Sequence, residues 1–272
     1  MGKCLQVVHT FKQNITGGGS FESLAAGTGD SLAIPNFAPG SDAKLLEVWA
    51  GNSANACEFD IRSPDFHDNT RGIRMAYMFN PTLSGADGDP QLIFPPRLVQ
   101  PLYASDVLTV EVNGTATNNV ALDYLAYYEN LPGADQRLMG WDEVRARTVD
   151  NIGIRVSVTA GATGDYGSNR TLNQDDDRLK ANTDYAILGA TSQLPCGLLA
   201  FTAPETSGRR IGLPLHWSED IGGDWFVWLS EKYGIDCIPV VNSNNKGNVI
   251  FQAADAATNV ATAATIIMAE LR

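Results

Sequence analysis

Through much of the chain, apolar and polar residues alternate with a period of two, the mark of a strand with one covered face. Cys57, Phe59 and Ile61 are interleaved with Glu58, Asp60 and Arg62; Leu108, Val110 and Val112 with Thr109, Glu111 and Asn113; Ile154, Val156 and Val158 with Arg155, Ser157 and Thr159. Each stretch predicts a half-buried strand of an antiparallel sheet. Residues 196–201 break the alternation because they are apolar throughout. That predicts a strand covered on both faces, as a contact between two domains or two subunits requires. Turn formers such as Asn113-Gly114, Pro132-Gly133, Gly222-Gly223 and Lys246-Gly247-Asn248 punctuate the strands at spacings expected of an all-β sandwich. Helical signals are few. Asp224 is placed to cap a short helix through Tyr233, with Trp225, Trp228 and Leu229 to one side and Gly234 as its stop, and a second helix is predicted over about 135–147.

The strand pattern occurs twice. Ala50-Gly51-Asn52-Ser53 leads to Cys57, Pro64 and Arg71-Gly72-Ile73, and Gly189-Ala190-Thr191-Ser192 leads to Cys196, Pro204 and Arg210-Ile211-Gly212. The offsets agree: 192 − 53 and 196 − 57 give 139, and 204 − 64 gives 140. Thr117-Asn118-Asn119-Val120-Ala121 is answered by Thr258-Asn259-Val260-Ala261, where 260 − 120 again gives 140. An offset this steady predicts a duplicated supersecondary unit. The interval after the shared arginine is also nearly constant, 107 − 71 being 36 and 247 − 210 being 37. Its contents differ: the first is proline-rich, the second carries the tryptophan-rich helix. Equal lengths with unlike contents suit large loops projecting from related sheets.

Composition narrows the class. In 272 residues, 44% hydrophobic content is enough for well-packed cores, and 19 basic against 31 acidic side chains leave a net charge of −12. A surface so acidic argues against direct nucleic-acid binding. The first residues, Met1-Gly2-Lys3-Cys4-Leu5-Gln6-Val7-Val8-His9, lack the apolar core and cleavage site of a secretory signal, and Gln6 stands where a myristoylation pattern wants Ser or Thr. No apolar run approaches the ~20 residues of a membrane-spanning helix. The four cysteines, at 4, 57, 196 and 237, form no C-x-x-C pair and no zinc spacing. Cys57 and Cys196, at matching places in the repeat, read as small buried hydrophobes; a disulfide between them has only that symmetry behind it.

Candidate chemistry is sparse. No G-x-S-x-G elbow is present, and the only histidines are His9, His67 and His216. Asp65, His67 and Asp68 could ligate a metal, although a solvated polar turn beside Pro64 is favoured on base rates. Asp175-Asp176-Asp177 and Asp87-Gly88-Asp89 could bind calcium but lack EF-hand spacing and read more readily as solvated acidic loops. Gly17-Gly18-Gly19 lacks the strand-to-helix context of a phosphate loop. Trp217, Trp225 and Trp228 could form a sugar platform; at helical spacing beside Phe226 and Leu229 they more often pack onto a sheet or a neighbouring subunit. The residues assign no catalytic, cofactor or metal site, and the chain is expected not to be an enzyme.

An all-β, duplicated, acidic chain with two large unlike loops resembles the double jelly-roll major capsid proteins of tailless, often membrane-containing viruses, over about residues 20–272. The resemblance implies two tandem jelly-roll sandwiches, at 20–130 and 151–272, joined by a connector at 131–150 and preceded by an N-terminal arm at 1–19. It implies a homotrimer whose six barrels make a pseudo-hexagonal tile of an icosahedral shell. Implied partners are the subunit's own copies within and between trimers, other capsid proteins such as a vertex protein, and, in membrane-containing members, an internal membrane. Such a subunit is made in the host cytoplasm and resides in the virion, without direct contact to nucleic acid. Two other readings stand beside it: a capsid decoration or spike protein, and a tandem carbohydrate-binding module using Trp217 or the loop around Trp141.

Overall fold

The computed structural model describes residues 2–37, 42–52, 57–65, 72–77, 91–93, 99–114, 119–162, 164–192, 196–215, 222–256 and 261–272. The first half contains β1 (Gly2–Lys12), β2 (Glu22–Ser23), β3 (Ala25–Ala26), β4 (Ala43–Asn52), β5 (Cys57–Arg62), β6 (Ile73–Tyr77), β7 (Gln91–Leu92), β8 (Gln100–Pro101), β9 (Thr109–Gly114) and β10 (Val120–Leu131). One sheet runs β3-β1-β10-β4-β7 with β8 also on β4, and the other β2-β9-β5-β6. Taking the short pairs β2/β3 and β7/β8 each as one interrupted strand leaves eight positions. The first, eighth, third and sixth form one sheet, and the second, seventh, fourth and fifth the other, which is the jelly-roll order.

The second half repeats it. After β11 (Leu138–Met139) and α1 (Trp141–Arg147) come β12 (Thr148–Thr159), β13 (Arg170–Thr171), β14 (Asp184–Ser192), β15 (Cys196–Thr202), β16 (Ile211–Leu215), α2 (Trp225–Tyr233), β17 (Ile238–Asn242), β18 (Ile250–Ala254) and β19 (Ala261–Leu271). The sheets are β11-β17-β14-β19-β12 and β13-β18-β15-β16, the same positions in the same order. The chain is therefore two tandem jelly rolls. Strand starts keep the offset read from the sequence: 196 − 57 is 139 for β5 and β15, and 261 − 120 is 141 for β10 and β19. Cys57 and Cys196 open these equivalent strands, and both are buried.

Several expectations need correction. The expected arm at 1–19 is not an arm: residues 2–12 form β1, inside a sheet, because the run from Cys4 to Val8 is apolar enough to be covered on both faces. The first sandwich thus begins at residue 2, not 20, the second at Thr148, and only residues 13–20, with the three glycines, form a loop. The helix predicted over 135–147 is confined to Trp141–Arg147, since Leu138 and Met139 pair with β17. The α2 helix occupies the predicted span and stops at Gly234, whose φ of 64° supplies the left-handed C-cap. The polar face of β5 is less exposed than alternation implies: Asp60 is buried, and Glu111 on the neighbouring β9 is covered through its ion pair with Arg62 at 2.7 Å.

Free strand edges are closed by side chains. Along β1, the Gln136 Oε1 accepts from Leu5 N–H at 2.7 Å and its Nε2 donates to Leu5 O at 2.9 Å and Thr206 O at 3.1 Å. Val7 N–H reaches Arg210 O at 3.0 Å, and His9 N–H reaches Asp30 Oδ2 at 2.9 Å. Along β12, Ser157 N–H donates to Asp175 Oδ2 at 2.6 Å and Arg178 donates to Gly153 O at 2.6 Å. Neither edge is left to recruit another chain's backbone. Gln136→Ala removes one acceptor and two donor contacts from buried backbone, so it is expected to destabilise the fold by about 1–3 kcal/mol, read as a lowered denaturant midpoint. Gln136→Glu, which sets a buried carboxylate against the Leu5 and Thr206 carbonyls, is expected to destabilise at least as much at neutral pH.

Candidate functional site at the seam between the sandwiches

Along most of its length the sheet of β1, β10 and β4 is covered on both faces. Cys4, Val8, Leu45, Val48, Tyr124 and Ala126 point into the first sandwich's own core. Leu5, Val7, Leu46, Trp49, Leu125 and Tyr127, on the opposite face, belong to the apolar cluster of the second sandwich. A bulge in the β4–β10 pairing supplies the extra residue, Leu46, which lets both Leu46 and Glu47 face the second sandwich. The Trp49 ring meets Trp225 of α2 edge-on with centroids 5.7 Å apart, and Trp225 stacks on Trp228 at 5.3 Å. Gly212 of β16 sits where a Cβ would come within 2.8 Å of Val7 Cγ1, so the approach of β1 to the second sandwich needs glycine there. The Trp49 indole N–H donates to Gly197 O at 3.0 Å.

Two polar clusters flank this apolar contact. In one, Glu47 of β4 accepts from Lys232 and lies 2.6 Å from the Tyr233 hydroxyl, which also reaches Leu46 O at 2.7 Å. Burial pushes the Glu47 carboxyl above its usual range, opposed by Lys232 and Tyr233. In the other, His9 of β1 and Asp123 of β10, whose side chains are 0% and 1% exposed, are joined Nδ1 to Oδ1 at 2.6 Å. His9 Nε2 lies 2.6 Å from Gly164 O of the second sandwich. Asp30 accepts from His9 N–H, from Tyr166 Oη at 2.8 Å and from Arg210 Nη1 at 2.9 Å, while the Arg210 guanidinium lies 4.0 Å over the Tyr166 ring. Asp165 accepts from Thr28 N–H and Tyr166 N–H. The Thr28 hydroxyl also donates to Asp165, and this bond, with the two backbone ones, outweighs burial and holds the carboxyl below the usual range.

This arrangement can carry load but not activate a nucleophile, because the His9 nitrogen that would do so is taken by a backbone carbonyl inside a sealed contact. Burial alone would depress the imidazole; the Asp123 carboxylate, the Gly164 carbonyl and Asp30 together hold it above its usual value. Burial also pushes the Asp123 carboxyl up, so the carboxylate depends on the imidazolium beside it.

Of the residues singled out in sequence, Trp225 is fully buried at the seam and Trp228 packs beside it. Trp141 lines an open cleft of about 600 Å³ with Asp142, Glu143, Glu231 and Asp236. Asp175 and Asp176 serve the β12 edge, and Asp177 pairs with Lys246. Asp65 is exposed, while His67, Asp68, Asp87, Asp89, His216 and Trp217 lie outside the described residues. Among the described residues no three His, Cys, Asp or Glu side chains converge as a metal site. Arg210, identified through the repeat, stands in the His9 cluster. His9 enters the sequence reading only as one of three histidines, and Asp123 and Glu47 not at all, yet each is a polar residue inside an apolar strand run, which is the signal that marks them.

Lys232→Met strands the Glu47 carboxylate in the seam and is expected to cost about 3–5 kcal/mol. The Glu47→Gln/Lys232→Met pair is expected to restore most of it, both read from denaturant midpoints.

No protein-family model matches the chain, and no curated protein matches it. Among solved structures, the major capsid protein P2 from Bacteriophage PM2 aligns over 99% of this chain and 98% of its own, at 6% identity and a TM-score of 0.23. The PBSX exported protein XepA aligns over 92% of this chain and 86% of its own, at 11% identity and a TM-score of 0.20. At such scores the frames do not superpose, so the jelly-roll assignment stands on the strand order itself.

Proposed function

We propose that the chain is the major capsid subunit of a virion, assembling as homotrimers whose six jelly rolls form a pseudo-hexagonal tile of an icosahedral shell. One observation carries the reading: a single chain holds two sandwiches of identical strand order, fixed side by side through an apolar contact. Three such chains supply six similar units around a threefold axis. The long strands suit the role. β1, β10, β12 and β19 span 11, 12, 12 and 11 residues, about 40 Å at the usual rise per residue. Side-chain closure of the β1 and β12 edges favours lateral contacts through side-chain surfaces over uncontrolled strand addition.

The subunit acts without catalysis, with its own copies and other capsid proteins such as a vertex protein as partners, and with an internal membrane as the layer a shell of this kind can enclose. A net charge of −12 suits a tile that leaves the genome to other components. Among the described residues no helix is long and apolar enough to cross a membrane.

Multi-angle light scattering of the purified protein, with negative-stain images of the same fractions, tests the assembly. The expected species has three times the 29.2 kDa chain mass and a hexagonal outline, or forms closed shells. A stable monomer that binds glycans saturably would overturn the reading in favour of a carbohydrate-binding module, and a trimer that attaches only to preformed shells would make it a decoration protein.

A further inference from the structure

The His9 ring divides its two contacts between the sandwiches. Asp123 belongs to the first and the Gly164 carbonyl to the second, each 2.6 Å from a ring nitrogen. Both oxygens are acceptors, and an imidazole offers two N–H donors only as the cation. A neutral ring therefore sets one nitrogen lone pair against an oxygen lone pair. Asp123, the stronger acceptor, keeps the remaining proton on Nδ1, so the bond lost is the one that crosses the seam.

The ring is held in place by the aromatic side chains on it. It stacks on Phe11 with centroids 5.7 Å apart and planes 14° apart, and Tyr166 covers it at 5.4 Å. Gly164 has φ 81°, and a Cβ there would press within 3.1 Å of the Phe11 ring, so the carbonyl is delivered by a residue that must be glycine. The groups facing His9 come from every element around it. They are Asp123 on β10, Asp30 in the loop after β3, Asp165 and the Tyr166 hydroxyl in the segment after β12, and Arg210 before β16. Without the imidazolium, Arg210 is the one cation in this group, and it is already engaged by Asp30.

We propose that His9 is a pH-controlled latch: protonated, it locks the first sandwich to the second, and its deprotonation releases the segment 164–166 from β1. A histidine held above its unfolded value of about 6.5 contributes stability that is complete below that pH and is lost as pH rises through the folded value. The latch is therefore closed in acid and opens on the alkaline side. It rests on the seam geometry and not on the shell reading, so a monomeric protein leaves its test intact.

The test uses the full chain, with NMR of labelled histidine rings and amide hydrogen exchange corrected for intrinsic rate at each pH. The His9 ring is expected to titrate above pH 6.5. Protection of the Val7, Thr28 and Tyr166 amides is expected to fall at least tenfold across the same midpoint, while Val156 and Ile266 inside the second sandwich keep theirs. Asp123→Asn is expected to move both midpoints to lower pH, and His9→Gln to make seam protection independent of pH. A ring that titrates at or below 6.5, or seam amides indifferent to its titration, would overturn the latch, as would a His9→Gln protein that keeps the alkaline loss.

Discussion

Because the sheet of β1, β10 and β4 is largely covered on both faces, the charged groups buried in it, Glu47, His9 and Asp123, are stable there only when paired inside the protein. The apolar contacts drive this burial: each large side chain taken from water, Trp49 and Leu125 among them, contributes about 1.5–3 kcal/mol. The ion pairs contribute less net stability, because desolvation offsets much of their attraction. Their effect is to fix how the sandwiches meet. Glu47 has to find Lys232, and His9 has to find Gly164 O, and a shift of one sandwich along the other would bury Glu47 unpaired and take the acceptor from His9 Nε2.

The same requirement explains why two copies of one topology are not interchangeable. In β10 the first nine residues are all buried, whereas in the equivalent β19 buried and half-buried positions alternate along most of the strand. β12 likewise exposes three of its first four residues, where β1 is largely covered. The first sandwich thus presents an apolar outer sheet as a docking face, whereas in the second the equivalent sheet is partly exposed along β12 and β19, while β14 and β17 are largely buried. What receives the first is the edge formed by β15, β16 and helix α2, which lies between β16 and β17.

Closing the edges uses residues that look unremarkable in sequence. The acidic run Asp175-Asp176-Asp177 is one loop lying along β12, where its carboxylates accept backbone N–H groups from Ser157 and Arg155. Gln136 does the corresponding work along β1 from the connector between the sandwiches. Both replace a missing neighbouring strand by side-chain hydrogen bonds, which satisfies the backbone while leaving no template for strand addition.

The sequence by itself determined the all-β class, the duplication and its period, the α2 helix with its Gly234 stop, and the double coverage of β15, because these depend on local periodicity and capping. It misled at the N-terminus. A short apolar run such as Cys4 to Val8 carries no period of its own, and its partners, β10 and Arg210, lie more than a hundred residues away. Only the tertiary structure decided the seam. His9 and Asp123 are separated by 114 positions, and Glu47 and Lys232 by 185, so no local pattern joins them. His9, Asp123 and Glu47 are each visible in the sequence as a polar residue in an apolar strand, but that Glu47 meets Lys232 and His9 meets Gly164 is set by how two finished sandwiches pack.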